Sequence, residues 1–255
     1  MNKRSMRKRY LLSAFIAAVA WSTTYTSTAP SLTKALSSVQ IGAAAQANGR
    51  WKPNPERGSA SSTLSGGRRG ITASACALDA DVPDPALTLL VPSGNYTELT
   101  TKAQPTLSWF VESDTITHME FILSHPEQAT PLYTKAISAE AGLVEVTLPA
   151  AIALQEGVRY RWTVFMTCND GEREVHARSF VKRVAIDAMP AALNAMPSRE
   201  QADIYAANGI WYDALNALVL AYREDTQMTT LLAIRELLEQ VNTDVPLDLS
   251  LATAS

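Results

Sequence analysis

The clearest pattern in the chain is an alternation over Val158–Cys168. Val158, Tyr160, Trp162, Val164, Met166 and Cys168 interleave with Arg159, Arg161, Thr163, Phe165 and Thr167. A period of two gives a strand with one buried face and one face toward water or a partner. Comparable runs bounded by turn residues predict strands at Leu87–Val91, Thr106–Val111, Ile116–Ser124, Leu132–Ile137, Leu143–Leu148 and Glu172–Arg183. Seven short strands in about a hundred residues predict an immunoglobulin-like sandwich. Its expected core includes Leu89, Val91, Leu107, Trp109, Val111, Met119, Phe121, Leu123, Val144, Val146, Leu148 and Trp162.

The last two strands also carry a predicted register. Asn169-Asp170-Gly171 signals a tight hairpin and sets Asn169 opposite Glu172. Met166 then faces Val175, Val164 faces Ala177 and Trp162 faces Ser179, all inward. On the other face Phe165 meets His176, Thr163 meets Arg178, Arg161 meets Phe180 and Arg159 meets Lys182. Just upstream, Leu154-x-x-Gly157-x-x-Tyr160-x-Trp162 is similar to the corner of fibronectin-III-like domains, in which a Tyr hydroxyl bonds back to upstream backbone.

From Met189 the period becomes helical. Ser198-x-x-Gln201 predicts a capping box opening a helix with Ala202, Tyr205 and Ala206 on one face, stopped at Gly209. Trp211, Ala214, Leu215, Leu218 and Tyr222 mark a second helix, and Leu231, Ile234, Leu238 and Val241 a third, from about Gln227 to Val241. Tyr205-x3-Gly209-x-Trp211-x-Asp213-Ala214 resembles the turn of a tetratricopeptide repeat, where small residues at Gly209 and Ala214 let helices pack closely. One such unit is visible and a solenoid needs about three, so a helical cap and a peptide-binding groove are both open readings.

The N-terminus differs in kind. A basic stretch from Met1 to Arg9, an apolar run from Tyr10 to Trp21 and Ala45-Gln46-Ala47 read as an export signal cleaved after Ala47. The apolar run is too short to cross a bilayer, which needs about 20 residues. The Ser/Thr-rich, acid-free leader also fits an organelle transit peptide. Residues 48–75, with Gly66-Gly67-Arg68-Arg69-Gly70, read as a disordered Gly/Ser/Arg linker and not a phosphate loop, since no Lys-Ser/Thr follows. The expected organisation is signal 1–47, linker 48–75, β-sandwich 76–186, helical appendix 187–242 and flexible tail 243–255.

The first 47 residues hold six Lys or Arg and no acid; removing them from 22 leaves 16 against 25 Asp and Glu, a formal −9. Such a balance argues against nucleic acid as the main partner. If the chain is exported, Cys76 and Cys168 meet an oxidising compartment and are expected to pair; two buried thiols are the alternative. His118 and Glu120 share a strand face without any catalytic pattern around them, and Asp79, Asp81 and Asp84 form an acidic loop without an EF-hand spacing. No catalytic residue, metal site or cofactor is expected.

One surface stands out. Arg159, Arg161, Arg178, Lys182 and His176 gather around Phe165 and Phe180 on the outer face of the terminal hairpin, with Arg161 expected over the Phe180 ring. Residues 187–255 carry ten acids and three bases, so this face could dock the helical appendix or hold an external anionic partner.

These blocks together resemble a cyanobacterial family of exported proteins, domain of unknown function 928. The resemblance rests on GGRRG, Cys76, LTLLVP, Pro105–Val111, the GVRYRWTVFMTC block with Gly157, Tyr160 and Trp162, and the GIWYDAL helix with Gly209, Trp211 and Ala214. It implies an extracytoplasmic location and no assigned activity. The reading is a non-enzymatic interaction or scaffolding protein of the cell envelope, periplasmic or secreted, with an envelope protein or anionic polysaccharide as partner. The alternative is a carbohydrate-binding module for an acidic envelope polysaccharide, with Phe110, Phe165 and Phe180 as ring platforms.

Overall fold

The alternating segments form two sheets. The computed structural model describes residues 50–58, 72–73, 86–94, 96–114, 116–168, 171, 174–185, 189–243 and 245, all within one unit. The leader, most of the linker, Cys76 and the acidic loop lie outside the described residues.

The first sheet holds β1 (Thr72–Ala73), β2 (Ala86–Leu89), β4 (Thr106–Glu112) and β7 (Gly142–Thr147) in the order β1-β2-β4-β7, all antiparallel. The second holds β3 (Glu98–Thr100), β9 (Glu174–Arg183), β8 (Arg159–Thr167), β5 (Thr117–Ser124) and β6 (Tyr133–Ala139) in the order β3-β9-β8-β5-β6. Only the β3–β9 pairing is parallel among these. Three helices follow: α1 (Ser198–Ala207), α2 (Trp211–Asp225) and α3 (Met228–Glu239). The protein is therefore mainly β with a helical C-terminal segment, and the seven expected strands are present with ends moved by one or two residues. The short β1 and β3 are additions.

The hairpin register holds pair by pair, from Arg159 opposite Lys182 to Met166 opposite Val175. Tyr160, Trp162, Val164 and Met166 are buried, as is every residue of the expected core. Trp109 stacks on Phe121 at 6.1 Å, and both rings meet Trp162. The Tyr160 corner forms with a defined direction: the Gln155 N–H donates to the Tyr160 hydroxyl at 3.0 Å. Gly157, at φ +76°, turns the chain into β8.

The helices pack where their charge did not suggest. α2 lies against β3 and β4, and Arg223 pairs with Glu145 of β7. Because α2 packs on β4, that strand is buried on both faces: Leu107, Trp109 and Val111 toward the core, Ser108 and Phe110 on the opposite side. Among the described residues, the helices thus pack on β3 and β4 and not on the basic hairpin face, against the docking reading of that face. The ion pair that ties helix to sheet runs the other way, a helix cation on a strand acid, and α2 meets β3 and β4 while Arg161 and His176 on the outer face of the hairpin stay exposed.

Three further expectations change. Ser198 caps nothing: its hydroxyl donates to Glu224, while the Gln201 amide donates to the Met196 carbonyl, Pro197 being the residue before the helix. The linker expected from residue 48 does not begin there, since Trp51 is only 8% exposed and the backbone of Trp51, Lys52 and Arg57 is hydrogen-bonded to the body. Nor is the expected tail from 243 loose at its start: Thr243 is buried and donates to the Val91 carbonyl, and Val245 is buried beyond it. Among the described residues no helix is long and apolar enough to cross a membrane.

Candidate functional site

Pleating and register assemble the basic aromatic face. Odd-numbered residues of β8 and even-numbered residues of β9 emerge on the side opposite Trp162, so Arg159, Arg161, Phe165, His176, Arg178, Phe180 and Lys182 share one surface. Arg161 and His176 are exposed; Arg159, Phe165, Arg178, Phe180 and Lys182 are half-buried, and Thr163 between them is buried. The Phe165 and His176 rings lie 5.3 Å apart. Over Phe180 stands Arg159, with its guanidinium 5.1 Å from the ring centroid, and not Arg161 as the direct cross-strand pairing suggested. The diagonal neighbour on a twisted sheet is within reach of a long side chain, and it takes the ring face. Arg161 is left pointing to solvent.

The neighbouring strand completes the surface and polarises it. Ser124, Ile122 and Glu120 of β5 stand beside Arg161, Thr163 and Phe165. Glu174 stands beside Thr167 at the same end as Glu120. Arg159, Arg161 and Lys182 therefore mark one end of the face, Glu120 and Glu174 the other, with Arg178 between them. Sequence reasoning, confined to the hairpin, found the cations but not this gradient. His118 faces outward too, hydrogen-bonded to the Ser138 hydroxyl at 2.8 Å. Phe110 is no ring platform: it is buried on the far face of the other sheet, which removes one of the three aromatics considered for a sugar site.

A second constellation was not legible in the sequence. The β3 residue Glu98 is 1% exposed and pairs with Arg57 at 3.3 Å, whose guanidinium also lies 3.9 Å over the Tyr96 ring. Burial lifts its carboxyl to about 7, with Arg57 pulling against that rise. Its other oxygen, Oε2, has no hydrogen-bond partner. Asp213, in the first turn of α2, accepts from the Thr100 hydroxyl at 2.6 Å, the Thr101 N–H at 2.9 Å and the Thr101 hydroxyl. Burial raises its carboxyl above the usual range although all three bonds favour the ionised form. The adjacent Tyr212 hydroxyl accepts from the Trp162 indole N–H and donates to the Phe180 carbonyl, both at 2.9 Å. The helix start is thus pinned to both β3 and β9. Among the described residues no group of His, Cys, Asp and Glu is arranged to hold a metal ion. Cys168 is buried, and no free cysteine occurs among the described residues; Cys76 lies outside them.

Fold and surface together define a mainly β protein with a helical C-terminal segment and a polarised, ring-bearing sheet face. The chain belongs to the family described as Domain of Unknown Function (DUF928), whose model matches residues 64–252. No curated protein matches it. Among solved structures it is similar to astrotactin-2, a conserved vertebrate-specific and perforin-like membrane protein involved in neuronal development. That similarity is 11% identity with a TM-score of 0.27, over 63% of this chain and 37% of the other. The chain thus spans well under half of that structure, and the likeness is too slight to carry a comparison.

Proposed function

We propose that the chain is a non-enzymatic interaction protein of the cell envelope that binds an anionic partner through the cationic end of its five-stranded sheet. The observation that carries this reading is the gathering of Arg159, Arg161, Arg178 and Lys182 around Phe180 on a face opposite the core, where Arg161 and His176 stay exposed. Clustered cations beside a half-buried ring suit carboxylates or sulfates, because guanidinium groups donate in pairs and the ring limits their freedom. The strand order, with a three-residue strand parallel to the last one, supports an immunoglobulin/fibronectin-III-type sandwich. The leader pattern supports export, with the partner then outside the cytoplasm.

The test uses immobilised polygalacturonate, neutral dextran and an envelope-protein fraction, probed with wild type and with Arg161→Glu/Arg178→Glu. Wild type is expected to bind at least one of the anionic matrices and not the neutral one, with binding that weakens as salt rises. The double reversal should weaken capture roughly tenfold or more, while the melt moves by no more than about 0.5 kcal/mol, as for other surface changes. Unchanged capture by the folded variant would sink the assignment of this face. Polygalacturonate and the protein fraction separate the acidic polysaccharide reading from the protein one.

A further inference from the structure

Residues 50–58 are held as a bound peptide is held. The Trp51 ring packs edge-on against Trp211 with centroids 5.0 Å apart, and the Trp51 N–H donates to Gln240 Oε1 at 2.7 Å. The Lys52 N–H donates to the Ala206 carbonyl at 3.1 Å, and the Asn54 amide to the Asn208 carbonyl at 3.1 Å. Arg57 ends the segment on Glu98, and its carbonyl accepts from the Thr97 N–H at 3.3 Å. One aromatic anchor, backbone hydrogen bonds along the segment and a terminal ion pair are the elements by which extended peptides are recognised in grooves. Pro53 and Pro55 limit the freedom the segment loses on docking.

The receiving surface is shaped for a chain. Gly209 has φ +71°, which ends α1, but a Cβ there would also stand 2.4 Å from the Asn54 nitrogen and 2.6 Å from the Lys52 carbonyl oxygen. The missing side chain leaves the space the segment occupies. The resemblance to a repeat turn predicted that Gly209 would bring two helices together; what it admits is the backbone of residues 52–54. A second, independent observation separates segment from receiver. The family match begins at residue 64, so both sheets and all three helices lie inside it and residues 50–58 lie outside.

We propose that the surface built by Ala206–Trp211, Gln240 and the start of β3 is a peptide-recognition site, occupied here by the chain's own residues 50–58. Its ligand class is a peptide with a Trp followed two residues later by Pro, closing in a 3-10 turn that ends on an Arg. Held on the same chain, the segment competes at a high effective concentration, so any outside peptide is excluded until the arm leaves.

The test begins with the full chain carrying a specific protease site within 59–71, cut in the folded state. The cut pieces are expected to co-elute, and a labelled synthetic peptide of residues 50–58 to exchange into the site saturably. Meanwhile the body keeps its circular dichroism and cooperative melt. The Trp51→Ala peptide should bind roughly a hundredfold more weakly, and Gln240→Ala in the body should weaken the wild-type peptide as well. If the body loses its melt once the arm departs, residues 50–58 are core and the proposal fails. It fails equally if the labelled peptide does not exchange, or if the Trp51→Ala peptide binds as the wild type does.

Discussion

Glu98 makes stability depend on pH in a direction opposite to most paired carboxylates. Its folded-state value of about 7 lies above the ordinary 4.5, because burial outweighs the attraction of Arg57. The folded protein therefore holds a proton more tightly than the unfolded chain does. Its contribution is greatest below pH 4.5, is lost as pH rises toward 7 and is flat above. Converting that gap by proton linkage gives roughly 2–3 kcal/mol of stability lost between pH 5 and pH 8. Glu98→Gln removes the titration while keeping an acceptor for Arg57 and nearly the same volume. Urea unfolding of both proteins at pH 5 and pH 8 isolates the effect, since Glu145, Asp203 and Asp213 titrate in each. The variant is expected to gain roughly 2–3 kcal/mol on wild type between the two pH values. A stability difference that stays constant across that range would refute the reasoning.

Tyr160→Phe takes the acceptor from the Gln155 N–H and should lower stability by about 1 kcal/mol or more, read as a shift in denaturation midpoint; an unmoved midpoint would count against the corner. Tyr212→Phe deprives the buried Trp162 indole N–H of its acceptor. A loss of about 1–3 kcal/mol is expected, together with a shift of the Trp162 indole proton resonance, and an unshifted resonance would show that the bond is not made in solution. If Cys76 pairs with Cys168, denatured unreduced protein should show no titratable thiol. Reduction should then lower stability by roughly 4 kcal/mol on the loop-entropy model, and two free thiols would refute the pairing.

What could be read from sequence was what depends on neighbours along the chain. The β8–β9 register followed from one turn and one alternation, so each of its pairs was available in advance. The apolar faces of all three helices were legible for the same reason. The failures share a cause of their own. Glu98–Thr100 is three residues long and buried throughout, which leaves no alternation to detect. Trp51 sits among Gly, Pro and basic residues, and its partners Trp211 and Gln240 are distant in sequence. Asp213 looked like an ordinary first-turn acid until Thr100 and Thr101 were found around it. Formal charge proved a poor guide to where the helices dock. Solvated charges contribute little, whereas Trp211, Tyr212 and Asp213 each place a buried polar atom that only one position of the sheets can satisfy. Of the candidate surface, the cations were legible and the acid end was not, because Glu120 comes from a strand that no turn connects to the hairpin.

The corner where Trp51 meets Gln240 has a kinetic consequence. Close by, the Ser93 N–H donates to the Val241 carbonyl and the Thr243 hydroxyl to the Val91 carbonyl, so the segment that follows β2 is finished by residues beyond the last helix. A chain emerging from its N-terminus can pair β8 with β9 early, since that hairpin is local. Leu90 and Val91, by contrast, must wait 121 and 152 residues for the Trp211 indole and the Thr243 hydroxyl respectively. Contacts of such separation slow folding and leave apolar surface uncovered in the meantime. During synthesis, then, the exposed flank of β2 and β4 is the place where a chaperone would be expected to hold this chain, until α2 and the residues beyond α3 arrive to release it.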